Sequence, residues 1–251
     1  MKAIVIGAGR GRRLMPLTES EPKCFAPVAG RRILDWILEA LAGGGFERRD
    51  VVFIGGYLLP VIQQHYPEFA YVENQDWERN NILVSLLCAE REMDAGFVCS
   101  YADIVFRPEP VRLLMESTAD ITLIVDTDFR RRYQRRSQHP ESDAEKVRAR
   151  GDRITEISRR IPGEEAAGEY IGVAKFSPRG AALLREHYHR VVKRYGDAPF
   201  QGASSVRMAY LIHLLQEMLE QGVEIRRVNT HGEYFEIDTT EDYQHAQDEW
   251  R

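Results

Sequence analysis

The chain contains little cysteine: three residues, Cys24, Cys88 and Cys99, none in a CxxC pair. A zinc ribbon and a dithiol redox motif are thereby excluded, and scattered, odd-numbered thiols suit a reducing compartment. Long apolar runs are missing too. No stretch approaches the ~20 residues a membrane span needs, and the opening run from Ala3 to Ile6 is too short for the core of a signal peptide. A cytoplasmic protein with no membrane partner is expected. Basic charge is not in excess, since 34 Lys and Arg face 39 Asp and Glu for a formal charge of −5. That balance argues against nucleic acid as the partner, which calls for a basic footprint. His187, His189 and His213 fall on helical patterns without metal-ligand spacing, so they read as surface or helix-packing residues.

What is present is a 43% hydrophobic fraction, enough to build a core over this length without disulfides. Short β-branched runs read as buried strands at Lys2–Ile6, Asp50–Ile54, Phe69–Val72, Gly96–Tyr101 and Asp120–Asp126. Helical spacing fits Ile33–Leu41, Pro60–Tyr66, Asn81–Met93 and Val111–Glu116 between them. Further on, a hairpin turning at Gly151-Asp152 is expected between Lys146–Arg148 and Arg153–Ile157. Then follow a strand at Tyr170–Phe176, helices at Gly180–Tyr195 and Ser205–Gln221, strands at Val223–Val228 and Tyr234–Ile237, and a closing helix at Thr239–Trp250. Alternating strands and helices predict βαβ units in an α/β fold, with a mixed, mostly parallel sheet. We read one domain over 1–251, with a nucleotide half (about 1–125) and an acceptor half (about 126–251). The charged block at 127–145, with Arg130-Arg-Arg132 and Arg135-Arg136, reads as a solvated loop. Its alternative is an arm that attracts anionic substrates or contacts a second copy of the chain in a homodimer.

Gly7-Ala8-Gly9-Arg10-Gly11-Arg12-Arg13 lies between the first strand and a proline-containing stretch. Glycines let backbone N–H groups approach phosphate oxygens closely. A dinucleotide fingerprint would need a third glycine at position 12, which is Arg12, and a helix that Pro16 and Pro22 prevent. The wider pattern, Gly9-x-Gly11-x-Arg13-Leu14-x-Pro16-x-Thr18 and then Pro22-Lys23, resembles the nucleotidyltransferase family that includes the sugar-1-phosphate nucleotidylyltransferases. The resemblance implies a three-layer, Rossmann-like α/β/α fold of the nucleotide-diphospho-sugar transferase type. It also implies a loop, Ala8 to Arg13, around a triphosphate, with Arg13 on the β/γ-phosphates and Lys23 on the α-phosphate or the acceptor phosphate. Arg10 and Arg12 would touch pyrophosphate or remain solvated. Fixed cations are what displacement at the α-phosphorus requires, because charge builds on the transferring and leaving oxygens.

Asp103 ends a strand, where ligands gather in parallel sheets, although an Asp there also serves as a turn former. Asp238 sits in Tyr234-Phe-Glu-Ile-Asp-Thr-Thr-Glu-Asp242, which resembles the family's second metal segment; the alternative is a helix cap. By the resemblance both would bind Mg²⁺, and hard oxygen ligands suit that ion. Asn80-Asn81 reads as a helix N-cap. With Ser85-Leu86 it also resembles cytidylyltransferases that act on phosphocholine and on phosphonates such as 2-aminoethylphosphonate. In that comparison Glu73 and Gln75 would help select the base. Asn81, Ser85, Tyr101, Lys146, Glu169, Tyr170 and Glu236 would line the acceptor site, with the aromatics equally readable as core. CMP transfer from CTP to a small phosphorylated or phosphonylated metabolite is the expected activity. A UTP- or dTTP-dependent sugar-1-phosphate enzyme and an inactive regulatory homologue are the alternatives.

Overall fold

The computed structural model describes residues 1–251 and is built around a nine-stranded mixed sheet. Across it run, in order, Ala70–Glu73, Val51–Gly55, Lys2–Gly7, Phe97–Tyr101, Gly168–Phe176, Ile121–Asp126, Arg226–Thr230, Arg153–Ile157 and Lys146–Arg150. The first four are parallel. The apolar runs of Val51–Gly55, Lys2–Gly7 and Phe97–Tyr101 are buried on both faces, as parallel strands between helices must be, while Ala70–Glu73 at the edge is partly exposed. Gly168–Phe176 then enters antiparallel between Phe97–Tyr101 and Ile121–Asp126. All nine of its residues are buried. Its start also pairs with Lys146–Arg150, which closes the hairpin side of the sheet against the centre.

Helices cover the sheet. Ile33–Gly43 buries Ile33, Leu34, Ile37, Leu38 and Leu41, the helical stripe visible in the sequence. Pro178–Tyr195 is capped by Ser177, whose side chain accepts from the Gly180 amide. No helix is long and apolar enough to cross a membrane.

Two helices are shorter than their apolar spacing predicts. Asn81–Met93 resolves into Ile82–Cys88 followed by a 3₁₀ turn at Glu90–Glu92. Ser205–Gln221 resolves into a turn at Val206–Met208 and a helix at Leu211–Glu220. The reason for the second break is tertiary. The Arg207 and Ala209 carbonyls accept from the Asn81 and Leu83 amides, so this stretch docks on the start of the other helix instead of continuing its own.

The charged block at 127–145 is not a solvated loop. A short helix, Phe129–Tyr133, turns Arg132 inward to bond Asp126 at 2.7 Å and Glu169. Arg136, its side chain 1% exposed, pairs with Asp242 at 2.8 Å and donates to the Glu236 carbonyl at 2.8 Å. Buried charges are sustained only when paired in this way. The block is a clamp that fastens the C-terminal segment to the sheet.

Candidate active site

The glycine loop leaves the carboxyl end of the first strand and closes at a 3₁₀ turn, Arg12–Leu14. Gly11 has φ 69°. A Cβ there would lie 2.8 Å from Lys23 Cδ, so glycine is required both by the backbone and by the passage of the lysine. The Thr18 hydroxyl donates to the Gly11 carbonyl at 2.9 Å and fixes the return of the chain.

Asp103 follows the Phe97–Tyr101 strand, and a separate two-stranded ribbon brings Asp238 to it. Tyr234–Glu236 pairs antiparallel with Ile104–Phe106, and the Ile237 amide donates to the Asp103 carbonyl at 2.9 Å. Thr239 caps the last helix in a reciprocal box with Asp242, which leaves Asp238 in the short link between the strand Tyr234–Glu236 and that helix. Local turn chemistry therefore delivers a carboxylate from the far end of the sequence to the strand-end site.

Lys23 lies between them. Its Nζ donates to Asp103 Oδ2 at 2.7 Å and to Asp238 Oδ1, and Arg13 bonds the other oxygen of Asp238. Burial disfavours the charge on Lys23, but the two carboxylates outweigh it and hold the ammonium above its ordinary range. Burial likewise opposes ionisation of Asp238, yet Lys23 and Arg13 keep it well below the usual carboxylate range. Glu236 is the converse case, since burial and the charges of Asp238 and Asp103 push its carboxyl well up. Two hard oxygen donors converging on one cation position form a set that suits Mg²⁺.

These groups line a cavity of about 640 Å³ at the carboxyl end of the parallel strands. It contains Ala8, Gly9, Gly11, Arg12, Arg13 and Lys23 from the loop side, together with Asn81, Ser85, Tyr101, Asp103, Glu236 and Asp238. Asn81 also caps its helix, its side chain accepting from the Ile82 amide at 2.8 Å. The aromatic ring of Tyr101 packs across Gly172, where a Cβ would lie 2.3 Å from the nearest ring carbon and where the φ of 83° separately favours glycine.

Other expected residues are elsewhere. Arg10 stacks over Tyr57, 5.1 Å from the ring centroid, outside the cavity lining. Glu73 and Gln75 are exposed, and the residue between them, Asn74, is the buried one. Its side chain bonds Asn80 and Ser85 at 2.8 and 2.9 Å, organising the wall from behind. Lys146 donates to the Glu141 carbonyl at 2.9 Å. Glu169 is engaged by Arg132 and by the Tyr133 hydroxyl at 2.6 Å. Tyr170 is buried against Tyr101, with ring centroids 6.1 Å apart. None of these three faces the cavity.

In their place the lining holds Trp77, His139, Asp143, Glu145, Arg159 and Tyr210, which sequence reasoning missed. His139 is buried between Asp242, 3.3 Å from Nδ1, and Glu236, 3.5 Å from Nε2. Its nitrogen and oxygens of Glu236 and Asp238 all fall within 4.8 Å of one another. Only the charge block itself signalled this segment, and solvation is the ordinary reading of such a run. His187, His189 and His213 pair with Glu217, Glu90 and the Tyr210 amide, away from the cavity.

A glycine loop beside a lysine shared by two carboxylates, at the strand ends of an α/β sheet, defines a nucleotidyltransferase. The chain belongs to the MobA-like NTP transferase domain family, whose model matches residues 3–140. Over 252 aligned residues it is 27% identical to the CTP:phosphoglutamine cytidylyltransferase of Campylobacter jejuni subsp. jejuni serotype O:2, covering 96% of this chain and 97% of that protein. It is 34% identical to the 2-aminoethylphosphonate cytidylyltransferase of Lancefieldella rimae over 44% of this chain and 48% of that one. The fold superposes on CTP:phosphocholine cytidylyltransferase from Streptococcus pneumoniae with a TM-score of 0.71 at 19% identity, covering 100% and 99% of the two chains.

Proposed function

We propose that the protein transfers a CMP unit from CTP to a small phosphorylated or phosphonylated acceptor and releases pyrophosphate. The observation that carries this reading is Lys23 joined to both Asp103 and Asp238 beneath the glycine loop. The relatives named above, two of them similar in sequence, support CTP as the donor.

Backbone amides of Ala8 to Gly11 receive the triphosphate, and Arg12 and Arg13 neutralise its outer oxygens. Asp103 and Asp238 would hold Mg²⁺, which when bound screens the triphosphate charge. An anionic oxygen of the acceptor attacks the α-phosphorus in line. A new P–O bond forms, the bond to the bridging oxygen breaks, and pyrophosphate departs with that electron pair. Lys23 stays cationic throughout and stabilises charge on the α-phosphoryl oxygens. The acceptor oxygen is already ionised near neutral pH, so the site needs no general base.

Pyrophosphate release with each of four NTPs and a panel of acceptors tests the proposal. CTP is expected to exceed UTP, ATP and GTP, and preference for UTP with a sugar phosphate overturns it. In Lys23→Ala, kcat is expected to fall by about 10² or more with the fold intact. Near-normal turnover there removes Lys23 from the mechanism.

A further inference from the structure

The two ends of the cavity differ in charge. Toward the hairpin its lining carries Asp143, Glu145 and Arg159. On the opposite side, the stretch between Tyr57 and Ser100 contributes Trp77, Asn80, Asn81, Ile82 and Ser85, none of them ionisable. Glu73 and Gln75, expected to select the base, lie outside the lining. Trp77 is the aromatic residue that this stretch turns to the cavity in their place.

The indole has a built seat. A Cβ on Gly56 would lie 2.6 Å from Cδ1 and Cγ of Trp77 and 2.9 Å from the Ala8 carbonyl oxygen, so glycine is what lets the ring rest at the end of Val51–Gly55. The Tyr57 ring supports it, with centroids 5.8 Å apart, and the Tyr57 amide donates to the Ala8 carbonyl at 3.0 Å. The indole is thereby tied to the start of the glycine loop. In the sheet, Val51–Gly55 and Ala70–Glu73 lie on one side of the first strand and Phe97–Tyr101 on the other. Asp103, joined to Lys23, follows Phe97–Tyr101. Trp77 and the reacting centre therefore flank the loop at two to three strand spacings, on the order of 10–14 Å. A nucleoside whose α-phosphorus sits at Lys23 and whose triphosphate follows the loop can extend its base to the indole. Nucleobases are neutral and planar, with π-faces that stack on aromatic rings, so they suit this uncharged end better than the charged hairpin end.

We propose that Trp77 is the platform on which the base of the bound nucleotide stacks, and that this contact positions the α-phosphorus at Lys23. The inference rests on the nucleotidyl-transfer reading and supplies the base-binding residue that Glu73 and Gln75 do not. Stacking is tolerant of base identity because every base has a π-face. Trp77 therefore provides affinity and placement, and the choice of cytosine falls to groups at the base's edge.

Two ligands that differ by the nucleoside test it. CTP and inorganic tripolyphosphate, each with Mg²⁺, are titrated calorimetrically into the wild-type chain and into Trp77→Ala. In the variant the Kd for CTP is expected to rise about tenfold or more, while that for tripolyphosphate stays within about twofold. Trp77→Phe, which keeps a smaller aromatic face, recovers part of the loss. In turnover the loss falls on the KM for CTP more than on kcat. An unchanged CTP affinity in Trp77→Ala overturns the proposal. So does a parallel loss of both ligands, the result expected of an indole that only braces the loop. Fluorescence gives an independent reading. Trp36 and Trp250 pack on each other, with centroids 5.8 Å apart, and neither lines this cavity. CTP is expected to quench the wild-type emission, and Trp77→Phe to lose that response. A CTP response of wild-type size in Trp77→Phe overturns the proposal. If CTP binds but no acceptor is turned over with any NTP, the transferase reading falls, and the titrations still decide this one.

Discussion

At the scale of single residues, the site depends on positions whose chemistry is set by their surroundings. Gly11 is one. Alanine there would hold a left-handed conformation at about 1–2 kcal/mol and press on the Lys23 stem at 2.8 Å. Gly11→Ala is expected to lower kcat about tenfold or more by misplacing the ammonium, since small displacements in such sites are costly. Unchanged circular dichroism with reduced pyrophosphate release would bear this out, and full activity would show that the loop absorbs the methyl group. Glu145 is another. Its carboxyl rises from 4.5 to about 7 on folding, chiefly through burial. A group raised in this way favours the folded state fully only below its unfolded pKa, and the advantage is lost as pH climbs to the folded value. Between pH 4.5 and 7 the wild-type chain should therefore lose stability relative to Glu145→Gln. The change is on the order of 2–3 kcal/mol, undiminished by solvent because the carboxyl is buried. Denaturation of both proteins at pH 5 and pH 7.5 measures it, and a constant difference between them contradicts it.

At the scale of elements, the short helix Phe129–Tyr133 is the unexpected one. Arg132 satisfies Asp126 and Glu169, whose side chains are 0% and 4% exposed. Removing it leaves two uncompensated buried carboxylates, a change that costs about 3–5 kcal/mol in comparable cases. Arg132→Ala is expected to lower the unfolding free energy obtained from urea denaturation at pH 7 by that amount. A loss below about 1 kcal/mol would return the segment to the class of solvated charge runs. This element also marks the limit of the sequence. The central strands, the glycine loop and the capped last helix were readable because their signals are local: apolar runs, special backbone positions and a Thr-x-x-Asp cap. Lys23, Asp103 and Asp238 could be named, but their meeting depends on a ribbon between Ile104–Phe106 and Tyr234–Glu236 that no local pattern specifies. Arg132 and Arg136 read as solvated because their partners, Glu169 and Asp242, are distant in the chain, and His139, set between Asp242 and Glu236, carries no signal of its own. Glu169 is expected at the acceptor for the same reason, since Arg132 and Tyr133, which engage it, are far away in the chain, whereas Lys146 donates to the nearby Glu141 carbonyl.

For the molecule as a whole, the two halves share one sheet. Gly168–Phe176 inserts between Phe97–Tyr101 and Ile121–Asp126, so the strand that joins the N-terminal half to itself comes from the C-terminal half. The site has the same dependence, with the loop, Lys23 and Asp103 on one side and Asp238, Glu145 and Arg159 on the other. A fragment ending near residue 125 would expose two fully buried strands along edges that have lost their partner. We therefore expect the full chain to unfold in one calorimetric transition whose van't Hoff and calorimetric enthalpies agree. The fragment 1–125 should show the poor chemical-shift dispersion of a collapsed but unpacked chain. CTP with Mg²⁺ should raise the midpoint of the whole transition, because a ligand that bridges both halves stabilises only the state in which they are joined. A fragment that folds cooperatively, or a ligand that shifts only part of a split transition, would mean the cavity lies between separable units. Closure of such units, and not the fixed ribbon holding Asp238 beside Asp103, would then set the geometry of transfer.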